Sequence, residues 1–504
     1  MPVETPHVEY IRSASKWNVI RTLFEGREAV INAGSEYTPS LPGADREDNE
    51  AYLQRGSLFN ALARTLEGLT GAVFQKAPTI EFPASQKKWL KDITLTGVPM
   101  ESFSLDALQD VMLVGRGGIL IEMPYEESTA TRPYLCSWEA ESIINWRTTR
   151  IAGDEVVTRV VLYETVTEPN TEDVFVDSLI EQYRVLELEL DIDTNSRVYT
   201  QQVWRKPTDE KEFVAFGPKL IPTRRKEPLA FIPFVFLGPM HLTPRVAKPP
   251  LLDLAYLNLG HWRNSCDLEH GLHLVALPTP WVAGMSGASS TDDEDESIGI
   301  GPSRVWELDV QGSAGMLEFK GAGLASIVTA MSEKKSEMAI AGSRVLESQP
   351  STAETALAVG MRHAGEHATL RTITQTAEQA LTRSLQIMVW WAGTELLPSE
   401  VKGVSIGLNK NFLNIKASPE EIKTALLALM DDKISFETWW GILTAGSWVN
   451  DEVTAQEEKS KIDSDAPKEP ELYDGVGSED DDNPEDENLD AEDDSNPDDE
   501  DNAY

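Results

Sequence analysis

Apolar residues recur near the 3.6-residue period over the first 80 positions, and the pattern predicts helices there. Trp17, Ile20, Leu23 and Phe24 fall on one stripe, and a polar loop with Pro39, Pro42 and Gly43 follows. A second block opens at Ala51-Tyr52-Leu53-Gln54-Arg55-Gly56-Ser57-Leu58-Phe59-Asn60 and runs on through Leu62, Leu66, Leu69 and Phe74, so a continuous core-facing helical stripe is expected across it. Between residues 101 and 240 the texture changes from helix to strand. After a helix around Leu105 to Val111, Gly115-Arg116-Gly117-Gly118 turns into the apolar run Ile119 to Met123, which Pro124 ends. Val156 to Tyr163, Tyr183 to Leu190, Val198 to Trp204 and Phe231 to Leu237 are rich in β-branched and aromatic residues and predict further strands. The expected fold class is therefore α+β with an antiparallel sheet.

From Pro250 the helical period returns. Leu251 to about Ala276 predicts one helix, and about Leu324 to Ala341 a second. The insertion between them, Leu277 to Gly323, contains a strand at Trp281-Val282-Ala283, an acidic loop from Ser286 to Ser297 and a strand around Val305 to Leu308. Next comes a proline-free stretch from Ser351 to about Gly393, opened by Ser351-Thr352-Ala353-Glu354. That opening is a capping box, whose hydroxyl and carboxylate satisfy two amides left free by the first turn. As one helix the stretch would span roughly 60 Å at about 1.5 Å per residue, more than a compact domain needs. A strand near Val404 to Leu408, a helix opened by Ser418-Pro419-Glu420-Glu421 and a last helical element at Ile434 to Trp440 complete the ordered part.

Charge changes this picture at one end. The chain of 504 residues carries a formal net charge of −40, and residues 463–504 hold 20 acidic side chains and one lysine, net −19, leaving −21 over residues 1–462. With so few large apolar residues the tail is expected to be a disordered segment, either solubilising or a nucleic-acid mimic that recruits a basic partner. The acidic body argues against tight DNA binding, which needs a dense Lys/Arg surface. No apolar run approaches the length of a membrane span and residues 1–10 lack a signal-peptide core, so a cytoplasmic chain is expected. Cys136 and Cys266 stand far apart and suggest neither a disulfide framework nor a cysteine zinc site.

Two histidine groupings have the residue types of a metal site. His363-Ala364-Gly365-Glu366-His367 matches the H-x-x-E-H of inverted zinc peptidases, but no third ligand stands at a plausible spacing. His261, His270 and His273 surround Cys266 and Asp267, yet His261 and His270 are nine residues apart and fall on opposite helix faces. The glycine turn at Gly115 to Gly118 lacks the Lys-Ser/Thr pair of a phosphate loop and precedes a strand. No catalytic residue, cofactor or metal site is expected, and the chain reads as a structural part rather than an enzyme.

Taken in order, the blocks resemble the portal proteins of tailed bacteriophages. The likeness rests on Tyr52 to Asn60 followed by Leu66-Glu67-Gly68-Leu69-Thr70-Gly71-Ala72-Val73-Phe74, on Gly115-Arg116-Gly117-Gly118-Ile119-Leu120, on Pro250 to Asn258 with His261-Trp262-Arg263, and on Ser351-Thr352-Ala353-Glu354-Thr355-Ala356. It covers about residues 10–450. The resemblance implies a dodecameric ring at one capsid vertex of the virion, assembled in the host cytoplasm, through which double-stranded DNA is packaged and ejected. It implies a wing over residues 1–248, a first stem helix over 249–276, a clip over 277–323 and a second stem helix over 324–342. A tunnel loop over 343–350, the long tunnel helix with a returning wing strand over 351–417, a crown over 418–462 and the acidic tail would follow. Arg344, Glu347, Ser348 and Gln349 would face the channel, and Trp281, Arg304 and Trp306 would meet the packaging motor. The implied partners are the terminase large subunit, the head-tail adaptor, and the major capsid and scaffolding proteins. A net-acidic conduit suits this role, because each Lys/Arg-phosphate contact is one that translocation must break.

Overall fold

The computed structural model describes residues 2–124, 132–151, 153–169, 175–190, 196–207, 212–276, 279–285, 308–317, 321–343, 368–410, 412, 419–445, 448–449 and 453–465. These fall into two units, residues 1–412 and 413–504.

The first unit begins with four helices, α1 (Val8–Glu25), α2 (Arg27–Ala33), α3 (Arg46–Arg55) and α4 (Ala61–Val73). The continuous stripe expected from Ala51 to Phe74 is thus broken between α3 and α4. The break has two causes. At Gly56 a β-carbon would sit 2.5 Å from the Cys266 sulfur and 2.7 Å from the Trp262 ring, so the backbone is pressed against a later helix. At Asn60 the side-chain oxygen accepts from the Ala63 amide at 3.0 Å and opens α4 as its N-cap.

Strand β1 (Thr79–Glu81) and helix α5 (Met100–Val114) follow, and Gly115 at φ +74° stops α5 in the left-handed region that glycine enters freely. The turn delivers β2 (Gly117–Glu122), buried along its whole length as the sequence predicts. β2 lies between β3 (Tyr134–Glu139) and β11 (Phe234–Leu237) in an antiparallel sheet. Gly118 is required there, since a β-carbon would fall 2.2 Å from the Phe234 ring.

A second sheet is an antiparallel meander in the order β4 (Ile143–Ile151), β5 (Asp154–Pro169), β6 (Asp177–Leu190), β7 (Arg197–Arg205) and β8 (Val214–Leu220). Val160, Leu162, Leu186 and Tyr199 turn one face to the core. The predicted strands within β5, β6, β7 and β11 are present, and β3, β4 and β8 are additions. Short strands β9 (Thr223–Arg224) and β10 (Glu227–Pro228) form a hairpin against the end of a later helix.

Helices α6 (Leu252–Ala276) and α7 (Leu324–Ser343) bracket strands β12 (Thr279–Met285) and β13 (Leu308–Leu317). The second of these strands begins at Leu308, where the expectation was Val305 to Leu308; residues 305–307 lie outside the described residues. The strand continues to Leu317, past Gly312 and Gly315, where the ladder with β12 holds it. Helix α8 (Ala368–Ala392) is the described part of the proline-free stretch, and its opening from Ser351 lies outside the described residues. It packs on α5, β2 and β11 through Leu381, Leu385 and Met388. Strand β14 (Ser405–Gly407) then pairs with β1.

In the second unit, α9 (Pro419–Met430), α10 (Phe436–Ala445) and α11 (Ala455–Asp465) are short. Ser418 lies outside the described residues. Helix α11 was not predicted and runs into the segment expected to be disordered from residue 463. Its start is a capping box: Thr454 Oγ1 accepts from the Glu457 amide at 3.2 Å and Glu457 Oε2 from the Thr454 amide at 2.9 Å.

Candidate functional site: a two-helix arm carrying a β-hairpin

Helix α6 has two halves of different character. Leu254, Ala255, Leu259, Trp262 and Cys266 are buried in the core of the first unit. Polar side chains on the same face make specific bonds to the α3–α4 region. Asn258 accepts from the Leu62 amide at 3.1 Å and donates to the Phe59 carbonyl at 2.9 Å. Trp262 Nε1 donates to Thr38 Oγ1 at 2.8 Å, the Ser57 amide donates to Ser265 Oγ at 2.9 Å, and the Tyr52 hydroxyl donates to Asp267 Oδ1 at 2.7 Å. These were not anticipated from sequence, although Leu254, Asn258, Trp262 and Cys266 recur every four residues and so share one face.

From Leu272 onward the helix leaves the core. Leu272, Leu274 and Val275 are exposed. Helix α7 returns antiparallel beside it, its side chains lying over the glycines of α6: a β-carbon on Gly271 would lie 2.6 Å from Leu324 Cδ2, and one on Gly260 3.2 Å from Lys334 Cε. At the base, Gly342 sits against Thr65 of α4 and Met338 is buried. Val328 and Ile340 face outward.

The two helices carry β12 and β13, which pair with each other in register Thr279 to Leu317 and Trp281 to Gly315 and with no other described strand. An isolated two-stranded ribbon is marginal in water. Trp281, the one predicted motor-docking residue among those described, lays its indole over Gly315 and remains 45% exposed. Val310, Met316 and Leu317 are exposed too. Exposed apolar side chains grouped in this way mark an interaction surface. Chemically the arm offers packing area and free strand edges rather than nucleophiles or acids.

The remaining candidates separate. Arg304, Trp306, Arg344, Glu347, Ser348 and Gln349 lie outside the described residues, as do His363, Glu366 and His367. His261 packs near Phe59 at 6.0 Å, and His270 meets the Tyr52 ring edge-on at 5.5 Å. Burial lowers the pKa of both, with Lys334 and Lys335 adding to the effect at His261. Burial pushes the Cys266 thiol up to about 12, which leaves it an inert core group. Among the described residues no group of three or more His, Cys, Asp or Glu side chains could hold a metal ion, and no helix is long and apolar enough to cross a membrane.

A protein family described as a domain of unknown function, DUF4055, matches residues 250–392, which span the arm and α8. No curated protein matches the chain. Among solved structures, a chain from the neck of an empty GTA particle, computed with C6 symmetry, is similar at 13% identity with a TM-score of 0.32, covering 74% of this chain and 86% of that one. A chain from the neck of the native GTA particle, computed with C12 symmetry, is similar at 13% identity and a TM-score of 0.32, covering 82% of this chain and 98% of that one.

Proposed function

We propose that this chain is the subunit of a portal ring of a tailed-phage-like particle, sited at a single capsid vertex and serving as the conduit for double-stranded DNA. The observation that carries the reading is the arm: two antiparallel helices that expose Leu272, Leu274, Val275 and Val328 and carry a β-ribbon that pairs with no other described strand. Exposed apolar area of this kind marks an interaction surface, and a ring of identical copies covers each arm with its neighbour's. The order helix, insertion, helix, loop, long helix gives the same reading from sequence. In it residues 1–248 form the wing, α6 and α7 the stem, and β12 and β13 the clip. The clip docks the terminase motor during packaging and the head-tail adaptor afterwards, Arg344 to Gln349 line the channel, and capsid and scaffolding proteins hold the ring in place. The chain does no bond chemistry of its own, and the motor supplies the force.

The test is to place charge on the arm. Leu274→Glu with Val328→Glu alters two exposed side chains. The reading predicts an unchanged thermal transition of the separated subunit and a loss of the oligomer in sedimentation velocity. Oligomers that survive the double substitution would remove the arm from the subunit interface.

A further inference from the structure

The outer face of the five-stranded sheet, turned away from the core, holds a cavity of about 810 Å³ bordered by the N-terminal residues Pro2 to Thr5. That is the size of a site for a small ligand or a short peptide. The N-terminal segment is fixed along β4: Asn145 Nδ2 donates to the Thr5 carbonyl at 2.7 Å, and the His7 amide donates to the Ile144 carbonyl at 2.9 Å. Val161, Val185 and Trp204 give the cavity an apolar floor.

Strand register sorts its charges into two rows. Arg147 is opposite Arg159, which is opposite Glu187, in one row; Tyr163 is opposite Tyr183, which is opposite Trp204, in the other. The rows are four residues apart on β6, about 13 Å at ~3.3 Å per residue. In the first row Arg159 is engaged by Glu187, its Nε donating at 3.1 Å, and the Arg147 guanidinium has no acceptor among the described residues. At the second row Phe213 packs edge-on against Tyr183, ring centres 4.7 Å apart. Burial first, then neighbouring Tyr163 and the charge of Glu4, hold the Tyr183 hydroxyl protonated up to about 12. Glu4 Oε2 is buried without a hydrogen-bond partner, and Glu212, next to Phe213 on the cavity wall, has none among the described residues. A free cation thus stands at one end of the cavity, and free carboxylates beside aromatic rings at the other.

We propose that this cavity binds an extended peptide segment of a partner protein that carries a basic and an acidic side chain four residues apart. The basic group sits between Glu4 and Glu212 against Phe213, and the acidic group meets Arg147. In an extended chain residues i and i+4 point to the same side, and their spacing equals that of the two rows. The apolar floor takes the side chain midway between them, and the aromatic ring adds a cation–π contribution at the basic end. None of the residues that line the cavity belongs to the arm.

The experiment incubates the full-length protein with four degenerate peptide sets, acetylated and amidated: Lys-X-X-X-Glu, Glu-X-X-X-Lys, Lys-X-X-X-Lys and Glu-X-X-X-Glu. Retained peptides are quantified by mass spectrometry. One or both mixed-charge sets should be retained at least tenfold over the like-charge sets, and Glu4→Gln and Arg147→Gln should each reduce that enrichment at least fivefold at an unchanged thermal transition. Equal retention of all four sets, retention of a like-charge set alone, or an enrichment indifferent to both substitutions would overturn the proposal.

Discussion

At the scale of single residues, the arm is held to the body by polar groups buried on an otherwise apolar helix face. Asn258 is fully buried, with both ends of its amide bonded to the α3–α4 region. Asn258→Ala leaves the Leu62 amide and the Phe59 carbonyl unsatisfied and should cost about 1–3 kcal/mol in urea unfolding. A second buried group joins the two large sheets. Arg184 donates to Glu122 at 2.9 Å and to Glu164 at 3.0 Å, and Glu122 also accepts from the Tyr134 hydroxyl at 3.2 Å and from Gln201 at 3.3 Å. Removing the cation alone, in Arg184→Met, strands two half-buried or buried carboxylates and should cost about 3–5 kcal/mol. Adding Glu122→Gln should restore part of that loss, which a double-mutant cycle reads directly. Histidines set a pH dependence. His7, His261 and His270 are held below their ordinary 6.5, chiefly by burial. Between the lowered values and 6.5 the unfolded chain therefore binds more protons, so this contribution is full above about 6.5 and is lost as pH falls below it. The urea midpoint should fall from pH 7.5 to 5.5, and His261→Gln should flatten that dependence.

At the scale of elements, close approach and capping decide what the periodicity alone leaves open. Gly271 lies under the Leu324 side chain at the point where the arm leaves the core, and Gly271→Val should push that side chain aside at a cost of about 1–3 kcal/mol. The end of α8 is closed from another element: Arg224 donates to the carbonyls of Trp390, Gly393 and Glu395 at 2.8–2.9 Å, and Arg225 to that of Gly393 at 2.7 Å. Both α6 and α7 were legible in the sequence because each keeps a helical stripe over many turns, and β2 because an apolar run between a glycine turn and a proline leaves little choice. The α3–α4 break was not, because its cause, the Trp262 ring against Gly56, is some 200 residues away in sequence. Of β13 the sequence marked only the stretch around Leu308, because Gly312 and Gly315 carry no strand preference and the pairing with β12 sets the rest. Helix α11 was available in principle, since Thr454 and Glu457 form a capping box, but its acidic composition masked it. Of the candidate site, Trp281 and the arm's helices could be read from sequence. Its anchors Asn258 and Ser265 were hidden as polar letters in an apolar run, and only their place on the buried face marks them.

At the scale of the whole molecule, the proposed ring asks two things of the chain: cohesion between copies and a weak hold on DNA. On the proposed reading, the net negative charge of the chain would weaken its hold on DNA and the exposed apolar side chains of the arm would supply the contact between copies. The segment beyond Asp465 lies outside the described residues and holds most of the acidic tail. Truncation after Asp465 should leave both the thermal transition and the oligomer unchanged, as measured by calorimetry and light scattering. The central claim is that copies of this chain close into a ring through their arms. Negative-stain electron microscopy of the purified full-length protein, with mass photometry on the same sample, tests it most directly. The account predicts closed rings with a central channel and a mass that is a whole multiple, close to twelve, of 55.8 kDa. A homogeneous monomer at every concentration, with no rings in the micrographs, would contradict it.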